Sequence, residues 1–336
     1  MVRIPFNSLK KISIPVLSPG PPGSWDEEVA ANPRIFKQNG SFYNFYTGYS
    51  RNGTYWGIGQ AISSDLIHWQ KVNNSPLIQT GDSGTWHHAN VDGAWVVKDA
   101  QDRWHLIHEG RRLFNTFETQ SFGLVRLENG WKGGVRSWPF NPVFTPTGKA
   151  GDFDSTGLLA PLIYRINGSY WLFYSGFDGK KFSTGLAFSE DLLNWRRYQH
   201  NPIFRPGTQG SWDSHGAILL NFFRAGDLFY AFYEGMDFRG RLAAGLAASS
   251  NLICWQRVTR KPVIRGGGPG SFDEKKLCSP FNVIHDSKIY LFFGAHPAGE
   301  RPGFTGLAVA ELAPWAKHAE TCGQNIDISD RDNPCI

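Results

Sequence analysis

The sequence predicts an all-β protein, a five-bladed β-propeller with four antiparallel strands in each blade. Three observations predict it. A Gly-x-aromatic segment recurs at Gly23, Gly84, Gly151, Gly210 and Gly270, with steps of 61, 67, 59 and 60 residues. Each of these openers is followed by two apolar runs divided by a turn, and no helical stretch intervenes. Aromatic residues make up 15% of the chain, beside 38 Gly and 20 Pro, which suits short strands and tight turns better than long helices. A four-stranded sheet cannot bury both faces alone but can do so between two neighbours, so repeated sheets close into a ring.

The elements follow in order. The first two strands of the units read PRIFKQNGSFYNFYTG, AWVVKDAQDRWHLIHEG, PLIYRINGSYWLFYSG, ILLNFFRAGDLFYAFYEG and PFNVIHDSKIYLFFGA. Asn39-Gly40 and Asn167-Gly168 are hairpin turn signals, because both central positions of such turns favour φ above zero. A third strand comes next: WGIGQAISS, FGLVRLEN, TGLAFSE, AGLAASS and TGLAVAE. In units 1, 3 and 4 it runs into a turn ending on Trp69, Trp195 and Trp255. A short outer strand with Asn, Ser or Lys before Pro closes the unit, as at Asn201-Pro202-Ile203-Phe204. The fifth unit stops near Glu311, so Ile12 to Leu17 is expected to supply its outer strand. Residues 1–315 are thus read as one propeller domain, and 316–336 as a polar tail.

Charge and motifs exclude several classes of function. The net charge is +5, with no Lys/Arg run longer than a pair, which argues against a nucleic-acid tract. No apolar stretch approaches the ~18 residues of a membrane helix. The N-terminal residues lack an apolar signal core, so the expected location is the cytoplasm, or outside the cell if a longer N-terminus exists. Cys254 and Cys278 are expected inside strands, and Cys322 and Cys335 could pair if the chain is exported. The sequons at Asn39, Asn52, Asn73 and Asn167 matter only in that case. Gly266-Gly267-Gly268 precedes Pro269 without a following helix, so it is a connection and not a phosphate loop. No cofactor is called for. No zinc-type spacing is present, and an axial calcium is a minor possibility.

The phrases AISSDLIHW and LAFSEDLLNW resemble the strand-turn-Trp element of the propeller glycoside hydrolases of families 43, 32 and 68, the arabinanase, xylosidase, invertase and levanase group. NPRIFKQNGSFYNFYTGY is similar to an early hairpin of family 43 and of the mannoside phosphorylases. The resemblance spans residues 23 to 311. It implies the propeller fold and an activity on glycosidic bonds, with an oligosaccharide or glycoside as substrate. In the arabinanase-like families a catalytic Asp immediately precedes the Pro of the first hairpin; here that place holds Asn32, before Pro33. The matching places in units 3 and 4 are Ala160 and near Leu219. The family's carboxylate trio is therefore substituted, and the resemblance transfers no catalytic residue.

Repetition supplies its own filter. A polar residue recurring in most units serves the fold, so Asp26, Asp154, Asp213 and Asp273, each following an opener aromatic, are read as structural, as are Asp65 and Asp191. A site must break the symmetry. Residues just after the openers and at the ends of the second strands should share one face of the ring. There the chain places Glu28, then His88 and Asp92, then Glu109, Arg111 and Arg112, then Asp178, His215, Glu234, Asp237, Lys275 and His296. At the matching position of the second strands stand Thr47, Glu109, Ser175, Glu234 and Gly294, so carboxylates occur there only in units 2 and 4.

Glycoside cleavage uses one protonated carboxyl for the leaving oxygen and one carboxylate as nucleophile or base. Glu28, Asp92, Glu109 and Glu234 are the catalytic candidates: Glu28 or Asp92 as nucleophile or base, Glu234 or Glu109 as acid. His88, Arg111, Arg112, Asp178, His215, Asp237, Lys275 and His296 are the substrate-binding candidates. The arginines suit a carboxylate or phosphate. The alternatives are a phosphorylase or transglycosidase, and a propeller that binds a glycan or protein without turnover.

Overall fold

The computed structural model describes residues 2–50, 56–128, 131, 134–298, 301–326 and 328. It is all-β, and among these residues the only multi-residue helical element is the 3-10 turn Pro314–Ala316. Among these residues the strands form four hydrogen-bonded sheets, the largest of which joins the third and fourth sequence repeats through a parallel pairing of Phe182 and Ser183 with Gly216 and Ala217. Within each of the five sequence repeats, or units, the successive strands are antiparallel. Unit 1 comprises Val29–Ala31 with Ile35–Gln38, then Ser41–Tyr49 and Trp56–Ser63; unit 2 comprises Asn90–Lys98, Trp104–Arg111 and Ser121–Leu127. Unit 3 comprises Gly157–Ile166, Ser169–Phe177 and Phe182–Ser189; unit 4, Gly216–Ala225, Leu228–Met236 and Leu242–Ser249; unit 5, Lys276–His285, Lys288–His296 and Phe304–Glu311. Asn39-Gly40 and Asn167-Gly168 take the expected positive φ pairs, 49° with 81° and 47° with 93°.

The outer strand is short and broken. Gln70–Lys71, Val135–Ser137, Arg196–Arg197 and Gln256–Arg257 pair with the third strands. A second touch follows at Ile78–Gln79, Phe144, Phe204 and Ile264–Arg265. The Asn before Pro has a defined task here: Asn141 and Asn201 each bond both the N–H and the carbonyl of one third-strand residue, Leu124 and Leu186. In unit 5 the N-terminal segment takes this role. Lys10–Lys11 pairs with Val309 and Ala308, and Leu17 bridges Thr305, so the closing strand starts two residues before the expected Ile12.

The recurring opener acids are structural, as expected. Asp26, Asp154 and Asp213 are each about 2% exposed or less and each accepts a bond from a second-strand tyrosine, Tyr46, Tyr174 or Tyr233. Each also pairs with a cation of its outer strand: Lys71, Arg197 or Arg257. Asp273 completes the set with Lys11, 2.6 Å away, so the N-terminal strand closes unit 5 with the same latch. Asp65 and Asp191 hold the turns before Trp69 and Trp195 by accepting backbone N–H groups.

Contacts between units run in a cycle. Asn32 bonds Asp92, Trp95 bonds Ile163, Phe182 pairs with Gly216, and Asn221 bonds Asn282. Unit 5 then returns to unit 1 through Ala30 to Gly303 and Thr305 to Ala30.

The tail and the cysteines add two findings. Residues 320–326 of the polar tail are joined to the sheets: Glu320–Thr321 pairs with Phe223 and Arg224, Asn325–Ile326 runs parallel to Arg165 and Ile166, and Gln324 bonds Val96 and Lys98. This segment satisfies backbone groups at the ends of the first strands, which a polar sequence does well and hydrophobic patterning does not reveal. Cys254 lies in a bend, not a strand, and is disulfide-bonded, whereas Cys322 is a free thiol, so the Cys322–Cys335 pairing is not made. Asn52 and Cys335 lie outside the described residues.

Candidate active site

The site is built by a bulge. Unit 4 shifts register at Asn221, where φ is 22°, and in units 1, 2, 3 and 5 the first strand shifts at Asn32, Gly93, Ala160 and Ser279, whose φ values are 53°, 56°, 53° and 49°. A left-handed non-glycine residue costs of order 1–3 kcal/mol, so Asn32, Ala160 and Ser279 hold strain. The bulge takes the N–H out of the sheet ladder and leaves it to be bonded by a side chain. Ala160 N–H donates to Glu109 Oε1 at 2.6 Å and Ser279 N–H to Glu234 Oε2 at 2.6 Å. The carboxylates found by broken symmetry thus each clasp the next unit. Gly93 N–H donates to Asp92 Oδ1 at 2.7 Å.

Asp92 and Glu109 are cross-strand partners in unit 2. Asp92 also accepts from Asn32 Nδ2, at 3.2 and 3.1 Å to its two oxygens, and from Thr47 Oγ1. Glu109 is 5% exposed, and its second oxygen accepts from Gln120, which Arg111 in turn contacts at 3.4 Å. Burial first, and then the nearby Asp92 charge, push the Glu109 carboxyl up to about 8, against the bond from Ala160 and the charges of Arg34 and Arg111. Glu234 is half-buried, and desolvation raises its pKa as well, opposed by Ser279, Lys276 and Arg34.

Arg34 lies among these acids. It is 3% exposed, its Nη1 donates to Pro33 O, and its Nε has no hydrogen-bond partner. Burial lowers its pKa while Glu109, Asp92 and Glu234 raise it. A buried guanidinium among three carboxyl groups is costly unless it is well paired. The Arg34 Nε is buried without a partner, while the residue itself lines one of two cavities beside these acids. The space is real: two adjoining cavities of about 470 and 450 Å³ share Asn32, Asp92, Glu109, Phe117, Leu159 and Lys276 in their walls. The first also reaches Arg111, Trp56, His296 and Arg301; the second reaches Arg34, Glu234, Arg239, Arg241 and Lys275.

Of the sequence candidates, Asp92, Glu109, Arg111, Glu234, Lys275 and His296 therefore come together. The others stand apart. Glu28 is bound to Arg301 at 2.6 Å and does not itself line either cavity. His88 packs its ring on Phe114, His215 contacts Ser214, and Arg112 is exposed; none lines either cavity. Asp178 and Asp237 are turn formers, accepting from the backbone of Lys180 and Lys181 and of Arg239 and Arg241. The sequence does not point to Arg34, Lys276 or Gln120, nor to the bond that Thr47 makes to Asp92. Asn32 was visible as the residue before Pro33, but its link to Asp92 was not. Among the described residues no group of three or more His, Cys, Asp or Glu is placed to hold a metal ion.

No protein-family model matches the chain, and no curated protein matches it by sequence. Solved structures do match in three dimensions. A glycosyl hydrolase from Bacteroides ovatus has a TM-score of 0.68 at 17% identity, over 92% of this protein and 97% of that one. Another comes from work on the GH130 family of mannoside phosphorylases, said to contain glycoside hydrolases that target β-1,2-mannosidic linkages in Candida mannan. It has a TM-score of 0.69 at 18% identity, over 93% and 97% of the two proteins. The fold is shared with both. A β-1,2-mannobiose phosphorylase from Listeria innocua, complexed with β-1,2-mannobiose, matches at TM-score 0.65 and 13% identity, over 90% and 96%.

Proposed function

We propose that the five units are the blades of one closed β-propeller, residues 1–315, and that the joined cavities cleave a glycosidic bond. The observation that carries this reading is the pair Asp92 and Glu109: neighbouring carboxyls on an open cavity wall, one of them held near a pKa of about 8. A carboxyl with that pKa is protonated at neutral pH and fits the general acid. Glu109 gives its proton to the glycosidic oxygen as the bond to the anomeric carbon breaks. Asp92 is the second carboxylate, which accepts a proton from the attacking water or itself attacks the anomeric carbon. The neighbours among solved structures, glycoside hydrolases and phosphorylases, support the same class by analogy of fold.

Phosphorolysis is the second reading, and the cations favour it. Arg34, Arg111 and Lys276 border the space beside the acids, a set suited to an anionic co-substrate. The test is sugar release from a panel of oligosaccharides with and without inorganic phosphate, using wild type, Glu109→Gln and Asp92→Asn. Release that falls in both variants supports the reading, and phosphate dependence assigns phosphorolysis. Glycan binding with no release from any substrate would make the molecule a non-catalytic binder.

A further inference from the structure

The same symmetry filter, applied to the rim, singles out unit 2. In every unit the chain leaving the outer strand donates a backbone N–H to the third strand, from Ile12, Val72, Trp138, Tyr198 and Val258. Two residues later stand Ile14, Asn74, Phe140, His200 and Arg260. Only unit 2 places a large exposed aromatic at both positions. Trp138 is 38% exposed and Phe140 80% exposed, with ring centroids 6.5 Å apart. An exposed pair of this size has no folding rationale, since leaving the rings in water forgoes the free energy of burying them.

The pair borders a groove of about 300 Å³ whose walls also include Arg103, Arg126, Arg136 and His105, with Leu124 and Val125 among its apolar lining. Arg103 is paired with Asp99 and Arg126 with Glu128, each at 2.7 Å. Arg136 has no ion-pair partner among the described residues. The three arginines against these two carboxylates leave one surplus positive charge. His105 is 9% exposed; its Nε2 contacts Asp99 at 2.8 Å and its Nδ1 has no hydrogen-bond partner. An aromatic platform beside a guanidinium with one uncompensated charge matches a sugar ring that carries one carboxylate, since the ring stacks and the carboxylate takes a bidentate fork. A polyphosphate backbone would call for several uncompensated cations along a track.

We infer that the rim of unit 2, formed by Arg136, Trp138 and Phe140 with Arg103 and Arg126, is a surface binding site for a uronic-acid-bearing glycan, separate from the catalytic cavity. The inference goes beyond the proposed reaction and does not need it, because the site is read by binding alone. The experiment is affinity electrophoresis of the full chain in gels containing polygalacturonate, its methyl ester, dextran or poly(U). The variants are Arg136→Ala and the double change Trp138→Ala with Phe140→Ala, each checked for an unchanged melting midpoint. Retardation by polygalacturonate alone, weakened about tenfold or more in each variant, is the expected result. Retardation unchanged in the variants, no retardation of the wild type, or stronger retardation by poly(U) overturns it.

Discussion

Replacing Glu109 by Gln should change how stability depends on pH, and this can be measured before any substrate is known. The Glu109 carboxyl rises from an unfolded value of 4.5 to about 8 in the folded chain. Below pH 4.5 the group is protonated in both states and contributes no pH dependence. Between the two values the unfolded chain has lost the proton and the folded chain keeps it, so stability falls as pH rises. Above about 8 both states are ionised and the loss is complete. Each pH unit in that window costs about 1.4 kcal/mol, so the whole interval is worth at most about 5 kcal/mol. Glutamine keeps the neutral shape, retains an oxygen for the Ala160 N–H, and removes the titration. Urea unfolding at pH 5 and pH 8.5 should therefore show the variant close to wild type at the lower pH. At the higher pH it should be more stable by several kcal/mol, once the other groups common to both proteins cancel. Parallel pH–stability curves for the two proteins would refute the reasoning, because they would mean that Glu109 is ionised throughout.

Three further outcomes are expected. Gly93→Ala places a Cβ against Glu109 Oε1 at a φ of +56°, so product release should fall by about a hundredfold in a chain that still folds. Asn32→Asp replaces the amide that donates to Asp92 with a like charge; release at pH 7 should drop, and the acid limb of the pH–rate profile should move to higher pH. Lys11→Ala strands Asp273, which has 3% of its side chain exposed, and should cost about 3 kcal/mol by chemical unfolding, with Lys11→Ala/Asp273→Asn recovering part of it.

Much of the architecture was legible because it repeats. The openers, the Asn-Gly turns and the Trp-ending turns are local devices, each fixed by a backbone need visible in a few letters. Glu109 and Glu234 were found because Thr47, Ser175 and Gly294 at the matching positions lack a carboxyl. Arg34 was not found. It follows Pro33 and immediately precedes a strand of ordinary composition, and nothing local says that its side chain lies among acids from units 2 and 4. Glu28 misled for the converse reason: its partner Arg301 is 273 residues away, so a paired acid looked like an open one. Asp178 and Asp237 were over-read, because a turn-forming aspartate and a site aspartate both precede short polar loops. The tail escaped because it joins by backbone pairing, with no apolar stripe to announce it.

The most direct test of the central claim is a crystal structure of the Glu109→Gln variant with an oligosaccharide that wild type cleaves. The account predicts the scissile oxygen within about 3 Å of the side chain at position 109, with the Asp92 carboxylate at the anomeric carbon or at its attacking water. A productive sugar seated away from both residues would contradict it.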